Sequence, residues 1–302
     1  MLIAHFSDFH IHNDIELGRA LAMVRHALVQ NVDHLVISGD LVDAAETKLV
    51  ERFRSGLRQL GWASSDRTTY ALGNHDVFPL PGKLIPGLVN WPKLTRPTAN
   101  ANRVLEITKS SRTGRGCTPL VTGEEHPVGK VLSDDVAIVV LDTIRRGQYN
   151  PQRWGEGELP KSHMQAVNRF FKQHSHTRHR IIALHHTPWR ENIDKEKLMG
   201  QNFVEPPPET IMSWLETSGA TLVLCGHIHC CWSIEKRPFG KNGIILRAGT
   251  AGGMHEGDSI RVYHVIDLPA KAQQTIRGIS LTGSQLDAMQ PVHEPACELN
   301  RL

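Results

Sequence analysis

Five short apolar segments of this sequence end in the same way, with Asp, His or Asn close behind the last apolar residue. The clearest covers residues 35–43 (LVISGDLVD), where a partly β-branched run stops at a glycine that is followed by Asp40. Such a run is too short for a helix and is typical of a strand buried in a parallel sheet. Because Asp after a strand usually turns the chain or caps a helix, one such segment predicts no function.

The other four segments repeat the pattern with imidazole, carboxylate and amide side chains. The polar residues that follow these apolar runs are Asp8 and His10, Asn74 and His75, His185 and His186, and His227 and His229. Since the carboxyl ends of parallel strands meet at one edge of a sheet, we expect these side chains to converge there. This set of ligands suits borderline divalent metals, namely manganese, iron, zinc or cobalt.

Helical patterns separate the first three strands. Apolar residues recur at helical spacing over residues 17–28 and 49–60, and a glycine directly follows the second stripe. The alternation predicts an α/β fold with right-handed crossovers. We predict one domain over residues 1–278, with a proline-rich insertion at about 78–122 that shapes substrate choice, and a C-terminal tail over residues 279–302.

Composition argues against several classes of partner. The chain has 34 basic and 31 acidic residues without a block of like charges, which gives no electrostatic case for nucleic acid or a membrane surface. Its five cysteines are odd in number and follow no disulfide framework, which favours a reducing compartment. With no leader-like segment before the first motif and no apolar run of ~18 residues, we expect a cytoplasmic protein.

Several motif residues have more than one interpretation. Asp43 could hold a metal-bound water or a ligand histidine, but capping the following helix is the more frequent role. Adjacent residues of an extended segment point in opposite directions, so only one of His185 and His186 can face the site. His227 and His229 can reach two metals, or one metal twice.

An arginine pair lies beyond another buried strand, predicted over residues 136–141. Arg145 and Arg146 follow the Asp142-Thr143 dipeptide at the end of this strand. Paired guanidinium groups can clamp a phosphate, although arginines are also common on protein surfaces. We therefore consider Arg145 and Arg146 as candidate substrate contacts only.

Taken in order, the motifs DxH, GD, GNHD, HH and GHIH resemble those of the calcineurin-like metallophosphoesterases. Five motifs in this order, each at a predicted strand end, make the resemblance specific over residues 2–266, apart from the insertion. It implies a four-layer α/β/β/α sandwich of two mixed sheets flanked by helices. It also implies two divalent metal ions, manganese or iron in the first place and zinc or cobalt as alternatives.

The resemblance implies a role for each motif residue. The implied ligands are Asp8, His10 and His229 for one metal, Asn74, His185 and His227 for the other, and Asp40 as the bridge between them. A hydroxide held between two such metals attacks the phosphorus. His75, which at its unperturbed pKa of about 6.5 can be protonated near neutral pH, gives a proton to the leaving oxygen.

Within the family, the start at strand one and the sequence LDTIRRGQYN resemble class III cyclic-nucleotide phosphodiesterases and bacterial glycerophosphodiesterases. We therefore expect a phosphodiesterase that acts on a small cytoplasmic diester, such as a cyclic nucleotide or a glycerophosphodiester. The alternative is a phosphomonoesterase or nucleotide pyrophosphatase with the same site, and a nuclease or a non-catalytic metal-binding scaffold ranks below both. Relatives that pair through such insertions also suggest a homodimer.

Overall fold

The computed structural model describes residues 1–78, 97–111, 113, 116–144, 155–189, 203–229, 235–252 and 260–289. The strands are β1 (Leu2–Phe6), β2 (His34–Ile37), β3 (Thr68–Tyr70), β4 (Cys117–Pro119), β5 (Val128–Ser133), β6 (Val136–Val140), β7 (Gly157–Glu158), β8 (His179–Ala183), β9 (Phe203–Glu205), β10 (Leu222–Cys225), β11 (Glu235–Phe239), β12 (Gly243–Arg247), β13 (Arg261–Asp267) and β14 (Thr275–Leu281). The helices are α1 (Asp14–Val29), α2 (Thr47–Gln59), α3 (Asn74–Val77), α4 (Pro97–Ile107), α5 (Lys161–Gln173), α6 (Pro208–Thr217) and α7 (Gly283–Ala288).

Two mixed sheets contain all of these strands except the short pair β7 and β9. The first sheet has the order β14-β13-β1-β2-β3, in which β1, β2 and β3 are parallel and β13 and β14 are antiparallel. The second has the order β11-β12-β10-β8-β6-β5-β4, with a parallel centre of β12, β10, β8 and β6. In both sheets the parallel strands carry the predicted site motifs at their carboxyl ends.

Alternate residues of the central strands face different layers. On β2, Leu35 packs with α1 and α2, whereas Val36 joins a cluster that contains residues of both sheets. On β10, Val223 packs with α5 and α6, whereas Leu224 belongs to that same cluster between the sheets. Because each strand is apolar on both faces, it is buried between a helix layer and the other sheet. The predicted four-layer α/β/β/α architecture is confirmed.

Part of the predicted insertion is a helix that joins the core. Helix α4 lies against α2 and α3, and its Val104 and Leu105 are buried in the cluster beneath them. Residues 79–96, 112, 114 and 115 of the insertion lie outside the described residues. The described part therefore extends the helix layer over the first sheet.

The predicted C-terminal tail begins too early. Residue 279 lies inside β14, and α7 follows with Leu286 fully buried. The guanidinium group of Arg19 also binds both carboxylate oxygens of Asp287, each at 2.7 Å, which attaches α7 to α1. The sequence signal is weak because β14 is an edge strand whose residues are mostly exposed, so apolar residues do not alternate clearly along it.

None of the helices within the described ranges combines the length and the apolar character that crossing a bilayer requires.

A buried lysine on β5 of the second sheet joins it to β3, the edge strand of the first sheet. Lys130 on β5 is 1% exposed, and its Nζ donates to Thr68 O at 3.1 Å, to Thr69 Oγ1 at 3.0 Å and to Ser111 O. These acceptors belong to β3 and to the turn after α4. The ammonium group of Lys130 on β5 therefore satisfies three acceptors on two other segments of the chain.

We expect Lys130→Met to lower the free energy of unfolding by about 2 to 3 kcal/mol, because it leaves buried carbonyl oxygens without a donor. Urea denaturation monitored by circular dichroism measures the change. The matched control is Lys241→Met, which removes an exposed ammonium group in the turn before β12. A loss for Lys130→Met no larger than that of the control would contradict a structural role for this lysine.

Candidate metal centre

The loops that follow β1, β2, β8 and β10 are hydrogen-bonded to one another at the site. Asp8 N donates to Gly39 O at 3.0 Å and His10 N donates to Asp40 O at 3.1 Å, which joins the first two loops. His227 N donates to the Asp8 carboxylate at 3.1 Å, which joins the loop after β10 to the loop after β1. The edges of the two sheets are therefore held together by backbone groups of the predicted site residues.

Four predicted site residues have a left-handed backbone conformation. The φ angles are 56° at Asp8, 47° at His10, 50° at Asp40 and 78° at His227. For residues other than glycine this conformation is uncommon and costs roughly 1–2 kcal/mol per residue. Such strain persists only where the surrounding structure imposes it, and it concentrates at functional sites.

One group of side chains gathers around Asp8. Its members are Asp8, His10, Asp40 and His229, and they offer ligand atoms that all lie within 4.8 Å of one another. The Nε2 atoms of His10 and His229 are 2.8 Å apart, and His229 Nε2 lies 3.1 Å from Asp8 Oδ1. Two imidazoles and two carboxylates therefore point at a common centre.

A second group lies on the other side of Asp40. Nε2 of His185 is 3.1 Å from Asp40 Oδ2, 3.0 Å from Asn74 Oδ1 and 3.1 Å from His227 Nδ1. The Nδ1 atom of His185 donates to Ser38 O at 2.8 Å, so a neutral ring presents its Nε2 lone pair to this group. The structure thus brings together all seven residues that the sequence predicts as ligands, with Asp40 shared by both groups.

The donor atoms fit divalent metals. Asp40 Oδ2, which faces both groups, is buried, and among the residues that the structure describes no group donates a hydrogen bond to it. The lone pair on Nε2 of neutral His185 faces the oxygen lone pairs of Asp40 and Asn74, and a cation accepts all of these lone pairs together. Imidazole, carboxylate and amide donors are the set expected for manganese, iron, zinc or cobalt.

The charge balance of the site also favours cations. Asp8 and Asp40 are each 1% exposed. Burial opposes their ionisation, yet hydrogen bonds and the charge of nearby histidines hold the pKa of both carboxyl groups well below the usual range. Burial lowers the pKa of His185 while Asp40 raises it, and the net pKa is about 9. The two buried carboxylates therefore stabilise positive charge in their immediate surroundings.

His75 differs from its expected protonation. It lies in α3 directly after Asn74, with its Nε2 4.0 Å from Asp40 Oδ2 and its Nδ1 donating to Asp43 O at 2.8 Å. Burial lowers the pKa of His75 to about 4, although the Asp40 carboxylate opposes this shift. The unperturbed pKa assumed from the sequence is wrong, because the ring is almost fully buried. A neutral His75 has its proton on Nδ1 and its lone pair on Nε2.

Asp43 does not cap the next helix, which corrects the preferred interpretation of the sequence. The residue before α2 is Glu46, and no side chain caps that helix. Asp43 Oδ1 instead lies 3.5 Å from His10 Nδ1 and 3.6 Å from His75 Nδ1. Asp43 therefore lies beside a predicted ligand histidine, which is the position that the second interpretation of the sequence requires.

Adjacent histidines on the loop after β8 separate as the sequence predicts. His185 enters the second group of ligands, whereas His186 Nδ1 pairs with Thr143 Oγ1 at 2.8 Å. Arg145 and Arg146 lie outside the described residues. Ser38, whose carbonyl oxygen orients His185, was not identified from the sequence, because a backbone contact depends only on where the fold places that loop.

Comparisons with known proteins agree with this geometry. The family model of the calcineurin-like phosphoesterases matches residues 1–231. Because this is more than half of the sequence, the chain belongs to the calcineurin-like phosphoesterase family and is a metallophosphoesterase-type phosphohydrolase. Comparison with curated proteins gives no match.

Solved structures support the fold. A dimetal phosphatase from Danio rerio is 12% identical, with 93% of this chain and 98% of that chain covered and a TM-score of 0.63. A 5′-nucleotidase precursor from Thermus thermophilus is also 12% identical, with 94% of this chain and 55% of that chain covered and a TM-score of 0.46. At 12% identity, the likeness to the Danio rerio structure establishes a shared fold only. The likeness to the Thermus thermophilus structure carries no further argument.

A glycine makes the close approach to Asp40 possible. A Cβ atom on Gly73 would lie 2.1 Å from both the backbone N and the Oδ1 of Asp40. We expect Gly73→Ala to displace Asp40, because a backbone atom cannot move aside as a flexible side chain can. Metal content per chain, measured by mass spectrometry after manganese loading and desalting, should fall below that of the wild type.

The control is Gly56→Ala in α2, where the added methyl group would contact only the flexible end of Leu21. This variant should retain the wild-type metal content. Equal metal content in Gly73→Ala and Gly56→Ala would show that the close packing of Gly73 on Asp40 is not needed for metal binding.

Proposed function

We propose that this protein is a dinuclear metal-dependent phosphodiesterase that acts on a small diester, such as a cyclic nucleotide or a glycerophosphodiester. The observation that carries the proposal is the convergence of seven buried or partly buried donor side chains into two groups that share Asp40. The preference for a diester rests on the resemblance of the first motif and of LDTIRRGQYN to class III cyclic-nucleotide phosphodiesterases and bacterial glycerophosphodiesterases. Three further expectations from the sequence stay predictions. They are a substrate contact by Arg145 or Arg146, a cytoplasmic location and a homodimer.

In this proposal each group holds one metal. Asp8, His10 and His229 would hold the first, and Asn74, His185 and His227 would hold the second. Asp40 would contribute to both, which is supported by its 3.1 Å separation from His185 Nε2 and its 4.0 Å separation from His10 Nε2. Manganese or iron are the proposed metals, and zinc or cobalt suit the same ligands.

Two bound divalent metals supply Lewis acidity, which activates water and polarises the phosphoryl group. The ligand residues of the protein determine the net charge of the metal site that faces the substrate. Asp8 and Asp40 are the two carboxylates among the seven ligands, and Asn74 contributes an uncharged oxygen. Two carboxylates therefore leave an excess of positive charge, which attracts a phosphate anion and stabilises the charge that develops in the transition state.

His75 is proposed to protonate the leaving oxygen. Its Nδ1 is engaged by Asp43 O, so the proton that it donates must be carried by Nε2, the nitrogen nearer to Asp40. A phosphate oxyanion beside the ring favours the protonated form and offsets the effect of burial. His75 would thus act as an acid only when an anionic substrate is bound.

We expect Asp40→Ala and Asn74→Ala each to reduce hydrolysis of bis(p-nitrophenyl) phosphate by at least roughly 100-fold, because each removes a ligand that orients a metal. The assay compares this diester with p-nitrophenyl phosphate, using metal-stripped protein reconstituted with manganese, iron, zinc or cobalt. Asp267→Asn, an exposed carboxylate at the end of β13, is the control and should keep full activity.

Two results would count against this proposal. Undiminished activity in the metal-stripped protein would exclude a metal-dependent reaction. A consistently faster reaction with the monoester would replace the phosphodiesterase assignment by that of a phosphomonoesterase.

The acid role of His75 predicts a dependence on the leaving group. His75→Asn should slow the release of an alcohol, as from a glycerophosphodiester, much more than the release of p-nitrophenol, because the nitrophenolate is stable without a proton. The ratio of kcat/KM for the two substrates, in wild type and variant, measures the effect. His12→Asn is the control, since His12 is exposed and its Nδ1 pairs with a backbone oxygen, His10 O, at 3.0 Å. An equal loss on both substrates would point to metal or substrate binding as the role of His75.

A further inference from the structure

His186 is a buried histidine that is not among the proposed ligands. It is fully buried next to His185, and its ring centroid lies 4.5 Å from that of His227 and 5.2 Å from that of His185. Burying an imidazole costs free energy that an apolar side chain of similar size would not require. The polar identity of this residue therefore calls for an explanation beyond filling space.

The ring of His186 is held from three sides. Nδ1 pairs with the hydroxyl of Thr143, itself fully buried, at 2.8 Å. On β7, a Cβ atom added to Gly157 would lie 2.8 Å from Cγ of His186, so the backbone of β7 packs directly against the ring. The third side is the ring of His227. Because rotation about the Cβ–Cγ bond of histidine is loosely restricted, the bond to Thr143 fixes the plane of the ring.

The support of His227 differs from that of His185. A metal-binding histidine generally donates its second ring N–H to an acceptor that fixes the ring, and His185 does so to Ser38 O at 2.8 Å. His227 Nδ1 faces His185 Nε2, while its Nε2 has no hydrogen-bond partner among the described residues. His227 also has a strained backbone, with φ at 78°. The His227 ring instead packs between the rings of His185, at 4.9 Å, and His186, at 4.5 Å, and of these two only His186 lies outside the ligand set.

We propose that His186 and Thr143 are positioning residues that hold the ring of His227 in the orientation required to bind the second metal. The inference rests on the proposed function, since that function makes His227 a ligand. The Thr143 segment is itself anchored, because Glu158 N donates to Thr143 O at 3.0 Å. A series of contacts therefore connects β7 to Thr143, Thr143 to His186, and His186 to His227.

The test uses the full-length protein with Thr143→Val, which keeps the shape of the side chain but removes the hydroxyl group. Manganese is titrated into metal-stripped protein by calorimetry, and the absorption spectrum of the cobalt-loaded protein reports ligand geometry. We expect the affinity of one of two metals to fall about 10-fold, as when other supporting groups are removed. The other affinity should stay unchanged, and the cobalt spectrum should differ from that of the wild type. Thr143→Ser, which restores the hydroxyl group, should recover both properties.

Thr177→Val is the matched control, because Thr177 is equally buried and its hydroxyl donates to His174 O, at the opposite end of β8. Unchanged affinities and spectrum in Thr143→Val would overturn the inference, as would an equal loss in Thr177→Val. His186→Leu should show the same selective loss, and circular dichroism establishes that each variant is folded. Binding of fewer than two ions by the wild type would instead refute the proposed function, and the inference with it.

Discussion

Two almost fully buried carboxylates, those of Asp8 and Asp40, lie where the edges of the two sheets meet. Isolated charges at such depth are costly, and here they are surrounded by histidines and backbone N–H groups. His227 N donates to Asp8 and His75 N donates to Asp40 at 2.8 Å, so each carboxylate joins segments distant in sequence. The remaining structure of the site depends on how these two charges are balanced.

The conformation of the site is unfavourable in free energy, and packing in the rest of the fold offsets this cost. Four non-glycine residues in the left-handed region and two buried carboxylates are all unfavourable when considered singly. Three apolar clusters, one between the sheets and one under each helix layer, provide rigid strands whose ends cannot rearrange to relieve this strain. The donor atoms are consequently preorganised, which favours strong and selective binding of metals.

Support for the proposed ligands comes from different kinds of groups. His185 is oriented by a backbone carbonyl, His10 lies beside the Asp43 carboxylate, and His227 packs against the ring of His186. A backbone carbonyl is independent of side-chain identity, whereas the other two supports depend on single side chains. Each of the two proposed metal positions therefore contains one histidine that lies against a side chain outside the ligand set.

Local patterns in the sequence predicted the alternation of strands and helices and a set of Asp, His and Asn residues at strand ends. The resemblance of five motifs to a known family implied the four-layer architecture and selected seven ligand candidates from that set. An apolar run that ends in Asp, His or Asn specifies a buried strand and a donor at its carboxyl end. The sequence pattern allowed only one of His185 and His186 to face the site, and the resemblance selected His185. Only the tertiary structure placed Asp43 beside His10 and His75 and Thr143 beside His186, lowered the pKa of His75 by burial, and attached α7 to α1. Those properties arise from burial and from contacts between segments far apart in the chain, which no local pattern records.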